Sequence, residues 1–344
     1  MTSPKYEDTP LTERPGTAET TKYLPGRALA QRLGTRLSRA WRSTGLLIPL
    51  ALFWLLLAVT TPVFFTVENV TNLLLEAAVV GILAIGTTTL LITEEIDLSI
   101  GAVEGLSAVA AGIVIVNHQV WWPLGIVAAI GTGVIVGCVN GVVTTRLGVP
   151  SFIVTLATLG VCTGLALQFT NGQSIYGFPN DFQQIGVAGL AGIRLPVFIA
   201  IALLVVIHFV LTRTRLGLRF YSVGGNRKAA ALVGINVPRV KTLAFALSGG
   251  AAALAGVVQA ARLDSANGTF GSGDLLDAIA AVVIGGTSLT GGVGSVVGTG
   301  LGVVLVATIH NGLNLWNVSP FWQQVVVGLI ILIMGIATSR RNAR

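Results

Sequence analysis

From residue 45 onward the chain alternates long apolar runs with short polar breaks. The runs fall near 45–65, 72–93, 99–117, 122–144, 150–170, 195–212, 241–262, 274–290, 294–314 and 320–338. Each approaches the length of helix, roughly 20 residues, that crosses ~30 Å of hydrocarbon. The pattern predicts an all-α polytopic membrane protein with about ten transmembrane helices. It divides the chain into a polar tail over 1–44, a transmembrane domain over 45–338 with a polar loop at 213–240, and a short tail at 339–344.

Composition agrees. Hydrophobic residues make up 53% and charged residues 10%, where a soluble domain carries about 25% charged. The 43 glycines fit close helix packing in lipid, because small residues let backbones approach. Cys138 and Cys162 both fall in apolar runs and imply no disulfide framework. The net charge of +7 follows membrane topology, not nucleic acid. With the N-terminus inside, 19 of the 21 basic residues fall on the cytoplasmic side and only Arg194 and Arg262 lie outside. That asymmetry is the positive-inside rule, and it places both termini in the cytoplasm.

The N-terminal tail lacks an apolar core and does not read as a signal peptide. Met1–Pro25 has the composition of a disordered segment. In Arg27–Arg42, leucines at 29, 33 and 37 recur at helical spacing among arginines. That is the pattern of a basic amphipathic helix on a membrane surface.

Polar groups inside apolar runs are costly and commonly functional. The densest set is Glu94–Ser99 (EEIDLS), between the second and third runs, with Glu104 on the same helical face as Asp97. Carboxylates there predict a broken or re-entrant helix facing protein or a watery cavity; a plainer role for Asp97 and Ser99 is to cap a helix. Two phrases echo each other: Asn140–Phe152 (NGVVTTRLGVPSF) and Asn311–Phe321 (NGLNLWNVSPF), 171 residues apart. Asp97-Leu98 and Asp274-Leu275 form a second echo at 177 residues. Both shifts equal five runs, an odd number, which predicts an inverted repeat with the pathway at its interface. The pathway candidates are Glu95, Asp97, Ser99, Asn140, Asp274 and Asn311.

The polar island Gly224–Lys241 (GGNRKAAALVGINVPRVK) is expected to hold a short helix over about Asn226–Val233, closed by Gly234 as a C-cap. Small residues at Ala229, Ala230 and Ala231 would let another surface approach. On that reading Ala230→Arg would block docking of a soluble partner while leaving the protein inserted. The plainer alternative is an ordinary basic cytoplasmic loop. The glycine run Gly285–Gly302 lacks the Gly-Lys-Ser/Thr of a phosphate-binding loop, and tight turning and packing explain it. His118, His208 and His310 show no metal-ligand spacing, and an interior hydrogen-bonded imidazole is the expectation for His208.

The A-A-x-x-x-G spacing of Ala229, Ala230 and Gly234 resembles the E-A-A-x-x-x-G coupling loop of permease subunits in bacterial ABC importers, with Lys228 in place of Glu. The wording of the island, of Glu95–Gly101 (EIDLSIG) and of GGTSLTGGVGSVVG resembles the ribose/xylose-type sugar permeases over about 46–338. Glu94 stands where that family has Gly. The resemblance implies a subunit of the bacterial plasma membrane that moves a monosaccharide inward without a cofactor. It also implies coupling to an ATP-binding cassette ATPase through Asn226, Lys228, Ala229, Ala230 and Gly234, and a second permease copy in the bilayer. An extracytoplasmic sugar-binding protein would deliver the solute, and ATP would be hydrolysed by the partner. Two alternatives stay open: a branched-chain amino-acid permease, or a secondary transporter coupled to protons or ions through Glu94, Glu95 or Asp97.

Overall fold

Every apolar run contains a helix. The computed structural model describes residues 46–342; the tail and the amphipathic helix expected over Arg27–Arg42 lie outside the described residues. The first half holds α1 (Leu46–Thr60), α2 (Val67–Ile92), α3 (Ile100–Gly112), α4 (Trp122–Arg146) and α5 (Ser151–Thr170). α3 runs on as a π-helical turn over Ile113–Asn117. A short α6 (Asn180–Val187) and the apolar α7 (Leu195–Arg213) lead to two polar helices, α8 (Arg215–Gly225) and α9 (Arg227–Leu232). The second half holds α10 (Val237–Leu263), α11 (Asp274–Ile284), α12 (Val296–Leu315) and α13 (Pro320–Asn342).

Seven of these are long and apolar enough to cross a membrane: α2, α3 with its π turn, α4, α5, α7, α10 and α12. Ten were expected from the runs. The run over 274–290 is helical only to Ile284, and its 11 residues rise about 17 Å at about 1.5 Å each. Gly286, with φ +88°, takes the chain out of the helix. α11 is therefore a half-length helix. In α1 and α13 the apolar stretches, Leu46–Thr60 and Pro320–Ile333, are also shorter than a full span.

The segments α2–α5 and α10–α13 share one element order: a long helix, a break, a short helix, a long helix, and a helix entered at proline. Their packing corresponds as well, since α10 packs on α4 and α3 as α2 packs on α12 and α11. Likewise α3 packs on α4 and α5 as α11 packs on α12 and α13. Asp97 and Asp274 stand at the entrances to the two short helices, and Asn140 and Asn311 lie near the C-terminal ends of α4 and α12. The two segments thus share an element order and a packing pattern.

α2 and α10 form the centre of the fold and are largely buried, whereas only about a quarter of the residues of α4, α5 and α7 are buried. The α4–α10 seam is backbone against backbone. A Cβ on Gly133 would sit 2.2 Å from the carbonyl oxygen of Gly249, and one on Gly137 would sit 2.3 Å from that of Phe245. With Gly141 against Thr242, α4 presents glycines at every fourth position to an antiparallel neighbour. This is how small residues substitute for a hydrophobic driving force between helices in lipid. Outside the spans, two short antiparallel pairings, Ile175–Tyr176 with Ser265–Ala266 and Gly189–Leu190 with Ile193–Arg194, tie down the loops.

Candidate functional site

The sequence-predicted residues form three groups. The first lies where the chain leaves helical structure between α2 and α3. Asp97 is buried, and its Oδ1 accepts hydrogen bonds from the Ser99 amide (2.8 Å) and the Ser99 hydroxyl (2.5 Å). This Asx-type turn gives the unwound backbone a local partner. Asn140 Nδ2 of α4 donates to Ser99 Oγ at 3.1 Å, and Thr158 of α5 donates to Asn140 Oδ1 at 2.6 Å. Asp97, Ser99 and Asn140 are thus brought together, and Thr158 joins them. Its signal in the sequence was only one hydroxyl in an apolar run. Asp97 Oδ2 is buried with no hydrogen-bond partner among the described residues.

Glu95 has a different role. Its carboxylate is 2.6 Å from Lys241 Nζ, and the two side chains are 11% and 4% exposed. The pair clamps the unwound segment to α10 instead of lining an open path. Sequence reading missed Lys241 because it placed that lysine at the end of the basic island.

Glu94 is exposed and has φ +67°, the left-handed region where a side chain costs about 1–2 kcal/mol. Glycine, which the resemblance puts there, adopts this conformation without that cost. Glu94→Gly removes that strain, and glycine's extra flexibility in the unfolded chain, worth about 0.5–1 kcal/mol, offsets part of the gain. The expected result is a melting temperature in detergent equal to or slightly above the parent's, while Glu94→Val lowers it. A clear fall for Glu94→Gly would contradict this account.

The second group is the basic island. Asn226 caps α9 by accepting from the Ala229 amide at 2.9 Å. At the other end the Ile235 amide reaches the Ala230 carbonyl and the Gly234 amide reaches that of Ala231, at 3.1 and 3.0 Å. With Gly234 at φ +82° this is a Schellman closure, and it confirms the expected short helix and glycine C-cap. One expectation is corrected: Ala230 is 3% exposed and belongs to the apolar cluster with Phe220, Val237 and Val240. Ala230→Arg would therefore disrupt the protein's own packing before it reached any partner. The outward face carries Lys228, Ala229, Leu232 and Val233, the last two 88% and 76% exposed.

The island is seated directly on the first group. A Cβ on Gly224 would lie only 1.8 Å from the carbonyl oxygen of Ile92, the last residue of α2, and 2.7 Å from the Gly292 amide. Gly292 itself donates to the Ile92 carbonyl at 2.9 Å. The end of α8, the end of α2 and the glycine turn before α12 thus meet at one point, with no side chain between them. The end of α8 abuts the point where α2 gives way to the unwound segment.

The third group lies at the other end of α11. His310 of α12 contacts Asp277 Oδ1 at 3.1 Å and Gln323 Oε1 at 3.0 Å. Glu76 lies within electrostatic reach of His310 and Asp277, Arg262 within reach of Glu76, and Asp274 interacts with all four. Glu104, fully buried with neither oxygen partnered among the described residues, also interacts with Asp274. The sequence offered Asp274 as a pathway candidate but did not group Glu76, Arg262, His310 or Gln323 with it. Asn311 does not join the cluster; it exchanges amide hydrogen bonds of 2.7 and 3.0 Å with Asn69 and locks α12 to α2. His208 is exposed on α7 and not interior, which corrects that expectation. Among the described residues no group of His, Cys, Asp and Glu could hold a metal ion.

The chain matches the family model described as branched-chain amino acid transport system / permease component over residues 69–335. It is 40% identical to the Ribose import permease protein RbsC of Bacillus subtilis (strain 168), covering 84% of this chain and 90% of that protein. It is 38% identical to the Ribose import permease protein RbsC of Escherichia coli (strain K12), over 86% and 93%. It is also 34% identical to the Xylose transport system permease protein XylH of Escherichia coli (strain K12), over 82% and 88%. No solved structure matches the chain.

Proposed function

The chain belongs to the branched-chain amino acid transport system / permease component family, and from that premise we propose that it is the membrane-spanning subunit of an ATP-driven importer for a pentose or hexose. The sugar assignment over an amino acid follows the ribose and xylose relatives, which align over most of both chains. The observation that carries the mechanism is the contact of Gly224 with the end of α2. It places the end of α8, which leads into the exposed capped helix α9, against the start of the segment that carries Asp97 and Ser99.

A partner ATPase docks on α9 through Leu232 and Val233, with Lys228 and Ala229 at the contact and Asn226 and Gly234 fixing the helix ends. ATP binding and hydrolysis in the partner move α8 and α9. The unwound segment and α11 then shift against their neighbours, and the path opens alternately to either side. The carboxylates of Glu76, Asp274 and Asp277 accept hydrogen bonds from hydroxyls of a sugar delivered by an extracytoplasmic binding protein. In this reading the two repeats have inverted topology, α1 and α13 complete the membrane domain beside the half-length α11, and both termini face the cytoplasm of a bacterial cell. A second permease copy completes the pathway, and this chain performs no catalysis.

Affinity purification in mild detergent, with mass spectrometry of the companions, is the direct test. An ATPase and a solute-binding protein should copurify, and the binding protein should take up a pentose or hexose in ligand screening. Purification of the chain without an ATPase across several detergents would reject the importer reading.

A further inference from the structure

A cavity of about 440 Å³ opens between the last two turns of α4 and the first turns of α10, within the ~300–1,000 Å³ range of small-molecule pockets. Its rim holds Arg146, in the last turn of α4, and Arg239, in the first turn of α10. Neither guanidinium has an ion-pair or hydrogen-bond partner among the described residues. Below the rim the walls are mostly apolar, with Cys138 and Val142 on one side, Leu243 and Ala246 on the other, and Thr242 as the one hydroxyl between them. The Asn236 side chain caps the Arg239 amide at 3.1 Å and fixes the turn that carries the second arginine.

Two unpartnered cations above an apolar channel between membrane-spanning helices require an amphiphilic, anionic occupant. We propose that this cavity binds one anionic phospholipid, with the phosphate between Arg146 and Arg239 and an acyl chain along Cys138, Val142, Leu243 and Ala246. Basic pockets between spans hold anionic headgroups in this way. A segment of a soluble partner would meet the arginines, but it would not follow walls that descend about 12 Å into α4, the rise of the eight residues from Arg146 back to Cys138. α10 begins directly after α9 and Gly234, so an occupied pocket braces the helix that holds the exposed segment in place. The inference rests on α4 and α10 as membrane spans and not on the identity of any transported solute.

The test uses the purified full-length permease, without an ATPase, equilibrated with phosphatidylcholine vesicles containing phosphatidylglycerol and examined by native mass spectrometry. The parent should retain one phosphatidylglycerol in preference to phosphatidylcholine. Arg146→Gln/Arg239→Gln should weaken that retention about 30-fold, two charges at about 1 kcal/mol each. Arg146→Lys/Arg239→Lys, which keeps the charge, should retain most of it, and this variant separates loss of binding from misfolding. Equal retention by the glutamine variant would overturn the proposal. So would displacement of the lipid by millimolar inorganic phosphate, which would mark a free-anion site. Undiminished lipid in the glutamine variant, together with loss of the ATPase from a separate copurification of that variant, would assign the arginines to a protein interface instead.

Discussion

Replacing Leu232 and Val233 together by Asp abolishes solute uptake while the permease stays folded and inserted. Both side chains project from α9, 88% and 76% exposed, so their removal takes nothing from the protein's own core. Large apolar side chains left in water beside a basic helix are the usual anchors of an interface. Burying each is worth about 1.5–3 kcal/mol, and together about 3–6 kcal/mol corresponds to a loss of roughly 10²–10⁴ in affinity for the ATPase. Copurification of the ATPase and uptake of labelled sugar should therefore fall together, with an unchanged melting temperature. Ala230→Arg gives the contrasting outcome: it enters the cluster of Phe220, Val237 and Val240 and should lower the melting temperature. If Leu232→Asp/Val233→Asp binds the ATPase as well as the parent, the docking surface lies elsewhere.

The helices were legible in the sequence because membrane spans are written as composition, and composition survives ignorance of the neighbours. The glycine C-cap of α9 was legible too, since Gly234 acts on its own backbone, whereas the Asn226 cap was not read from the sequence. The half-length of α11 was not. Its apolar residues run on into Val283 and Ile284, and the stop comes from Gly286 adopting φ +88°, which a glycine in a glycine-rich chain does not announce. Ala230 was misassigned for a related reason: Ala229, Ala230 and Ala231 look alike, and only the seat of α9 against Val237 and Phe220 decides which one is buried. The buried polar groups divided the same way. Asp97 with Ser99 is a local turn and could be read; His310 with Asp277 and Gln323 joins three helices and could not. The rule that intramembrane carboxylates mark function pointed to Glu95, whereas contact with Lys241 makes it a clamp.

That clamp allows the last prediction to separate structure from ion coupling. Lys241→Met leaves the Glu95 carboxylate buried without its partner, at a cost of about 3–5 kcal/mol, whereas a buried pair replaced on both sides is often close to neutral. Lys241→Met should therefore lower the melting temperature in detergent by many degrees and sharply reduce the amount of inserted protein. Glu95→Gln/Lys241→Met should recover most of both. A double-mutant cycle then gives a coupling energy of about 2 kcal/mol or more between the sites; simple additivity would show that the contact contributes nothing. The recovered double variant carries no titratable group at position 95. If it still takes up sugar in proportion to its amount, and uptake follows ATP and not the proton gradient, Glu95 cannot be the carrier of a coupled proton. If the double variant is stable but silent, the clamp has a part in the transport cycle beyond holding the unwound segment. The element to examine next would then be Asp97, whose Oδ2 faces no partner in the same segment.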